Sequence, residues 1–363
     1  MIVKKVYLDN FLSYGSAYVE FKDGLNVFVG HNAAGKTNLL ESIYYASLGK
    51  SARGLKDKEL INWDNKEKSA RIRLFVEKKY DKHVIDILID KFGKKRITVD
   101  GLPIAKIGEL MGNLNIVYFS PEEMRLIKNS PADRRRFMDI SLCQSDKLYF
   151  YTLVKYNKLL EQRNKLLKDY RDSADLRVMS DIITDKMSEE QAYIIRKRRN
   201  FLAALAPVAN EKHIYLTGGK EELTLEYESA KLDFENVESS LKKLYKETFE
   251  KDKSLGYTTV GAHRDDVKIA VGGIDVRRFG SQGQQRTTVL SLKLAEVALF
   301  TAQNGDSPVL LMDDVLSELD GERQRALFEG LKGIQTFVTC TSCDEITAKK
   351  TVYKIQDRMV TML

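Results

Sequence analysis

Cysteine is scarce in this chain of 363 residues: Cys143, Cys340 and Cys343 are the only three. Three thiols cannot build a disulfide framework, which excludes the small stapled class and reads as a reducing compartment. The Cys340-x-x-Cys343 pair has no second CxxC and no nearby histidine to complete a tetrahedral site, and it closes the apolar stretch Phe337-Val338-Thr339. It therefore reads as incidental and not as a metal site. No run of about 18 apolar residues occurs, which excludes a helix that crosses a membrane. The opening Met1-Ile2-Val3-Lys4-Lys5-Val6-Tyr7 reads as a strand and not as a signal peptide, so a cytoplasmic location is expected. Low-complexity segments, internal repeats and long linkers are also missing. What is present, 43% hydrophobic and 31% charged residues, is the profile of a soluble globular protein. The length predicts one large α/β unit with a second lobe. A net charge of +7 and a pI near 9.0 allow a polyanionic partner, although dispersed positive charge is also common on solvated surfaces.

The strongest local pattern is Gly30-His31-Asn32-Ala33-Ala34-Gly35-Lys36-Thr37, a G-x-x-x-x-G-K-[ST] phosphate loop. It follows the β-branched apolar run Leu25 to Val29 and precedes Asn38 to Ala46, whose apolar residues recur at helical spacing. Strand, loop and helix are the context this motif requires. The glycines let successive backbone N–H groups wrap phosphates, Lys36 reaches the β- and γ-phosphates, and the Thr37 hydroxyl is placed to ligate Mg²⁺. ATP with Mg²⁺ is the expected cofactor pair, with Gly30 to Asn38 as its cradle.

Along the chain, Ile2 to Leu8 and Tyr18 to Phe21 read as strands before the loop. Arg71 to Glu77, His83 to Asp90 and Arg96 to Val99 alternate as an antiparallel patch, and Asn115 to Phe119 adds an apolar strand. From about Pro121 to Asn210 strand signals vanish, and Leu176, Met179, Ile183, Met187 and Ile194 share one helical face. The expected division is an ATPase lobe from residues 1–120 and 211–363, with a helical lobe inserted at 121–210. Two basic runs stand in that insert, Arg134-Arg135-Arg136 and Arg196-Lys197-Arg198-Arg199. Arg134, Arg135, Arg136, Arg196 and Arg198 are candidates for a DNA phosphate surface, with a solvated helix face as the open alternative. Beyond the insert, Asn236 to Phe249 reads as a helix and Val267 to Val276 as a hairpin.

Pro308-Val309-Leu310-Leu311-Met312-Asp313-Asp314 is an apolar strand ending in two acids, the Walker B pattern. Asp313 is expected at the Mg²⁺, and Asp314, on the opposite side of the strand, is expected to orient or deprotonate the attacking water, with Lys36 beside it in the catalytic set. Between the motifs, Ser281-Gln282-Gly283-Gln284 opens a helix and forms an anion site through free N–H groups and the helix dipole. The order of phosphate loop, S-x-G-Q, Asp-Asp strand and Ser317-Glu318-Leu319-Asp320 resembles the ATPase heads of the ABC superfamily.

The resemblance narrows on Leu8-Asp9-Asn10-Phe11-Leu12-Ser13-Tyr14, Phe119-Ser120-Pro121-Glu122, Ser130 to Asp139, Gly261-Ala262-His263-Arg264-Asp265-Asp266, Ser281 to Arg286 and Asp313 to Asp320. Together these are similar to the RecF family of bacterial recombination mediators, nearly end to end. The resemblance implies an ABC-type α/β head with a mixed sheet, an antiparallel patch, an inserted helical lobe and no long coiled coil. It implies a weak, DNA-stimulated ATPase that binds duplex DNA at single-strand gaps, dimerises on ATP and works with RecR and RecO to load RecA. It also implies that Ser281, Gly283 and Gln284 meet the nucleotide of a partner subunit, and a nucleoid-associated cytoplasmic protein without membrane attachment. The family's Gly-Pro-His-Arg-Asp-Asp reads Gly-Ala-His here, and neither the Gln loop nor the switch His of ABC transporters is evident. Those two absences weigh against a transport ATPase subunit, and the S-x-G-Q turn weighs against a small-molecule kinase.

Overall fold

The chain opens with β1 (Ile2–Phe11), β2 (Tyr14–Glu20), β3 (Leu25–Val29) and helix α1 (Lys36–Leu48), followed by β4 (Ala70–Glu77), β5 (Lys82–Ile89), β6 (Lys95–Val99), β7 (Leu102–Pro103) and β8 (Ile116–Phe119). Helices α2 (Arg125–Lys128), α3 (Pro131–Ser145), α4 (Lys147–Asp169) and α5 (Leu176–Thr217) come next. Then follow β9 (Leu223–Glu228), α6 (Val237–Leu255), β10 (Asp266–Val271), β11 (Ile274–Asp275), α7 (Val276–Phe279) and α8 (Gln282–Asn304). The last elements are β12 (Val309–Asp313), α9 (Gly321–Gly330), β13 (Thr336–Cys340), β14 (Lys350–Gln356) and β15 (Met359–Met362). This computed structural model describes residues 1–66, 68–316, 319, 321–342, 346 and 348–363.

The chain packs as two compact units: unit 1 comprises Met1–Glu123, Lys212–Lys220 and Val289–Leu363, and unit 2 comprises Met124–Glu211 and Glu221–Thr288. Residues 221–288 thus group with the helical stretch, although the sequence pattern assigns them to the ATPase lobe. The physical reason lies in β10, which packs on α3 and takes Arg134 of that helix onto Asp266.

Unit 1 is built on two six-stranded sheets. One runs β2-β1-β4-β5-β6-β7 and is antiparallel throughout. Along β4, Ala70, Ile72, Leu74 and Val76 are buried while Arg71 faces water, the alternation of a sheet with one wet face. The other runs β15-β14-β3-β13-β12-β8. Its strands from β14 to β8 are parallel, and every residue of β12 and β13 is buried. That is why Val309 to Met312 reads as an unbroken apolar run. Phe28 of β3 stacks on Tyr353 of β14 at 5.0 Å, and Phe21 meets Phe337 of β13 edge-on at 4.8 Å. Helix α1 is buried from Leu39 to Leu48, so it is a core element with almost no wet face.

Unit 2 combines the helices with the small antiparallel sheet β11-β10-β9. Buried charge pairs hold it. Arg163 and Asp252 are both out of water and bond at 2.7 Å, with Thr258 on the same guanidinium nitrogen. Arg198 of α5 grips Asp139 of α3 through two nitrogens at 2.9 Å each and donates to the Ala262 carbonyl at 2.6 Å. Arg134 grips Asp266 in the same bidentate way, at 2.6 and 2.9 Å. Both arginines are buried. Their guanidinium groups are consumed inside the unit, so Arg134 and Arg198 are corrected from DNA candidates to scaffold.

Removing one partner of a buried pair leaves an uncompensated charge. Arg198→Ala is expected to cost unit 2 about 3–5 kcal/mol. Arg196→Ala, on the exposed face two residues earlier, should stay within about 0.5 kcal/mol of the parent protein. Urea unfolding followed by circular dichroism checks the pair, and equal losses would return Arg198 to the surface role.

Candidate functional site

The phosphate loop ends unit 1's strand β3 and begins α1 at Lys36. Two of its glycines answer to close contacts. A Cβ on Gly30 would lie 2.4 Å from the Ile355 carbonyl oxygen, and Gly35 has φ +110° with Ser13 Oγ and Tyr14 Oη about 3 Å from where its Cβ would stand. The Tyr14 hydroxyl donates to the Gly35 carbonyl at 3.0 Å, which ties the loop to the β1–β2 turn. Among the described residues no side chain caps α1, so its first-turn N–H groups face the loop and are open to an anion. Lys36 Nζ donates to the carbonyls of Gly30 and His31, at 2.7 and 3.0 Å, so its ammonium sits across the mouth of the loop.

The Asp-Asp strand is the next-but-one neighbour of β3, with β13 between them. The Thr37 hydroxyl donates to Asp313 Oδ1 at 3.0 Å, which joins the two sequence motifs across 276 residues. Asp313 is buried. Its Oδ1 also accepts from the Thr339 hydroxyl at 2.7 Å, and its Oδ2 accepts from the Tyr118 hydroxyl at 3.3 Å. Burial holds the Tyr118 phenol well above its ordinary pKa, so it stays a proton donor beside the carboxylate. Asp314 is exposed and adopts φ +52°, and its backbone N–H donates to Thr339 Oγ1 at 2.9 Å.

Sequence reasoning misses Tyr118, Thr339, Ser13 and Glu41. Asn38 donates to Ser13 Oγ at 2.8 Å and accepts from Arg53 at 3.0 Å, and Arg53 pairs with the buried Glu41 at 3.4 Å. Burial raises the Glu41 pKa. Beside the loop opens a cleft of about 520 Å³ lined by Leu12, Ser13, Asn38, Arg53 and Trp63. Trp63, the only tryptophan, is 69% exposed there. The local signal for this wall was the β1–β2 turn itself, Leu12-Ser13-Tyr14.

The donor set suits Mg²⁺. Hydroxyl and carboxylate oxygens come from Thr37 and Asp313, and among the described residues no group of three or more His, Cys, Asp or Glu could cage a metal. Mg²⁺ is commonly held by one or two carboxylates together with substrate phosphates.

The Ser281 turn belongs to unit 2. Ser281 Oγ accepts from the Gln284 N–H at 3.2 Å, and Gln284 Oε1 accepts from the Ser281 N–H at 2.9 Å. This reciprocal pair is a capping box at the start of α8. Gln284 also donates to Glu221 at 2.9 Å, so its amide is occupied by the turn it shapes. Ser281 is exposed, and a Cβ on Gly283 would lie 3.8 Å from its Oγ. Ser317, Glu318 and Asp320 of the expected D-loop, and Cys343, lie outside the described residues. Cys340 is buried.

In the Gly261 to Asp266 stretch Gly261, Ala262 and Asp265 are buried, His263 and Asp266 are half-buried and Arg264 is exposed. His263 Nδ1 meets the Tyr156 hydroxyl at 2.7 Å and Nε2 meets the Thr258 carbonyl at 3.0 Å; burial pushes the ring pKa down to about 4. Burial pushes Asp265 up to about 6, against the pull of the Tyr227 hydroxyl and Arg198. Of the arginine candidates, Arg135 donates to the Asp265 carbonyl at 2.6 Å, while Arg136 and Arg196 are exposed.

The family described as RecF/RecN/SMC N terminal domain matches residues 2–361. The DNA replication and repair protein RecF of Clostridium botulinum (strain 657 / Type Ba4) is 45% identical over 346 residues, which is 95% of this chain and 94% of that protein. The protein of the same name from Agathobacter rectalis is 44% identical over 350 residues, 96% and 95% of the two chains. Among solved structures, the recombination mediator protein RecF-ATP of the RecFOR pathway superposes with a TM-score of 0.92 at 35% identity, over 99% of this chain and 97% of that one. An SMC head bound to the C-winged helix domain of ScpA superposes with a TM-score of 0.60 at 17% identity over 100% and 97%, a likeness of fold alone.

Lys36 is the cation that two loop carbonyls hold in place. Lys36→Ala is expected to weaken nucleotide binding by at least about tenfold, the worth of a charge-assisted bond, with little change in unfolding midpoint. Calorimetric titration with ATP checks this, and unchanged affinity would remove the loop from the site.

Proposed function

The chain belongs to the RecF family, and on that premise we propose that it is an ATP-controlled switch on DNA, acting in recombinational repair and replication restart. The observation that carries the reading is the bond from Thr37 to Asp313, which brings the phosphate loop and the acid strand to one point. Family membership supports reading that site as one for ATP. The triphosphate lies on the loop, with α1's first-turn N–H groups and Lys36 on its oxygens. The base extends into the cleft beside Trp63 and Arg53. Thr37 and Asp313 would hold Mg²⁺, which would supply positive charge to neutralise the phosphates. Asp314, exposed one residue further on, orients the attacking water or takes its proton.

The Ser281 turn completes the site of a second copy. Its Oγ accepts the Gln284 N–H and keeps its own hydrogen to give to an anion, and the N–H of Gly283 at the start of α8 adds to it. Dimerisation then requires the γ-phosphate, and hydrolysis, slow and stimulated by DNA, ends it. The ATP-bound dimer sits on duplex DNA at single-strand gaps and works with RecR and RecO to load RecA, in the cytoplasm at the nucleoid. Arg136 and Arg196, the cations of the two runs that remain at the surface, are the residues retained for DNA phosphate.

Asp314→Asn should keep Mg²⁺ and ATP binding through Thr37 and Asp313, slow hydrolysis and so accumulate an ATP-bound dimer with prolonged association on gapped DNA. Ser281→Arg should block the dimer by bulk and charge while each monomer still binds ATP. Light scattering with ATP, with ADP and without nucleotide reads both. A Ser281→Arg protein that dimerises normally, or an Asp314→Asn protein that stays monomeric in ATP, contradicts the switch.

A further inference from the structure

Thr339 lies on β13 directly opposite Asp313 in the parallel pairing with β12, and it is wholly buried. A threonine hydroxyl has one hydrogen to give and lone pairs to receive. Here the hydrogen goes to Asp313 Oδ1 at 2.7 Å, and a lone pair takes the Asp314 N–H at 2.9 Å. We infer that Thr339 is the positioning residue of the hydrolytic site: one hydroxyl fixes the carboxylate of the first acid and the backbone of the second.

The two acids have opposite tasks. Asp313 must point inward to the metal, and Asp314 must turn outward to water, which it does in a left-handed conformation at φ +52° that a residue with a side chain seldom adopts. The pairing of β12 with β13 runs as far as Asp313, and past that point the turn carries the Asp314 N–H onto the Thr339 side chain. Of the other donors to Asp313, Thr37 sits on the phosphate loop, and Tyr118 reaches the second oxygen only at 3.3 Å. Thr339 is set by the sheet on both sides, since β13 is hydrogen-bonded to β3 and to β12. The inference rests on the roles proposed above for Asp313 and Asp314.

Thr339→Val keeps the branched shape and removes both bonds; Thr339→Ser keeps the hydroxyl. For Thr339→Val, kcat for ATP hydrolysis should fall about 10- to 100-fold, the usual effect of losing an outer hydrogen bond to a metal ligand. At saturating Mg²⁺ the KM for ATP should stay within about threefold, because the residues on the phosphates are unchanged. The Mg²⁺ concentration that half-saturates binding of a non-hydrolysable ATP analogue, read by calorimetry, should rise at least about tenfold. Thr339→Ser should return both quantities to near the parent values. A Val variant with parental turnover and Mg²⁺ requirement overturns the inference, as does a Ser variant as impaired as Val. Should Val fail to fold, Thr339→Ala carries the same expectations against Ser. Asp313→Asn separates the two levels: if it leaves Mg²⁺-dependent binding and hydrolysis intact, the reading of the site falls, and the inference falls with it.

Discussion

A buried carboxylate is tolerated only where donors replace the water it has lost, and Asp313 is the place where this protein meets that demand. Three hydroxyls converge on it, from Thr37, Thr339 and Tyr118. Each belongs to a different element, α1, β13 and β8, so satisfying one side chain aligns the phosphate loop, the strand between the motifs and the sheet's edge. The all-buried β12 fixes where the carboxylate starts, and the hydroxyls fix where it points. Chemistry and folding therefore share one constraint: a substitution that frees Asp313 loosens the site, and one that strips its donors leaves a charge buried without compensation.

Unit 2 meets the same demand with arginines. Arg134 and Arg198 are each buried against a carboxylate with backbone oxygen acceptors on the remaining nitrogen, and Arg163 is buried against Asp252 with Thr258 on the same nitrogen. Such pairs give little net stability compared with apolar packing, but removing one partner is costly, so they fix which surfaces meet. The Gly261 to Asp266 stretch lies at the centre of this network. Its Ala262 N–H bonds Gln191, its Ala262 carbonyl takes Arg198, and Asp266 takes Arg134. A proline in place of Ala262 would have no N–H for Gln191, so this chain's departure from the family's Gly-Pro-His pattern adds a hydrogen bond.

What could be read from sequence was what is local. The phosphate loop, the apolar strand before Asp313 and the Ser281 turn each declare themselves by spacing, because each is a backbone device of fewer than ten residues. Tyr118 and Thr339 could not be read this way: they lie 195 and 26 residues from Asp313 and reach it only through parallel strand pairing. Arg134 and Arg198 could not be told from their neighbours for a related reason. Within one turn of α3, Arg134 points inward and Arg136 outward, and the carboxylate that takes Arg134, Asp266, lies 132 residues away. The strands β14 and β15, which close the parallel sheet, carry short mixed sequences with no turn signal as strong as the earlier hairpins. Grouping of residues 221–288 with the helices depended on that same long-range packing of β10 on α3.

The central claim is that Thr37 and Asp313 form one metal and phosphate site that Lys36 closes. Its most direct measurement is a crystal structure of the protein soaked with Mn²⁺ and a non-hydrolysable ATP analogue, read by anomalous scattering. The account predicts an anomalous peak within coordinating distance of Thr37 Oγ1 on the Asp313 side, with Lys36 Nζ moved from the Gly30 and His31 carbonyls to phosphate oxygen. A metal seated elsewhere, or triphosphate bound while Lys36 keeps both carbonyls, would contradict it.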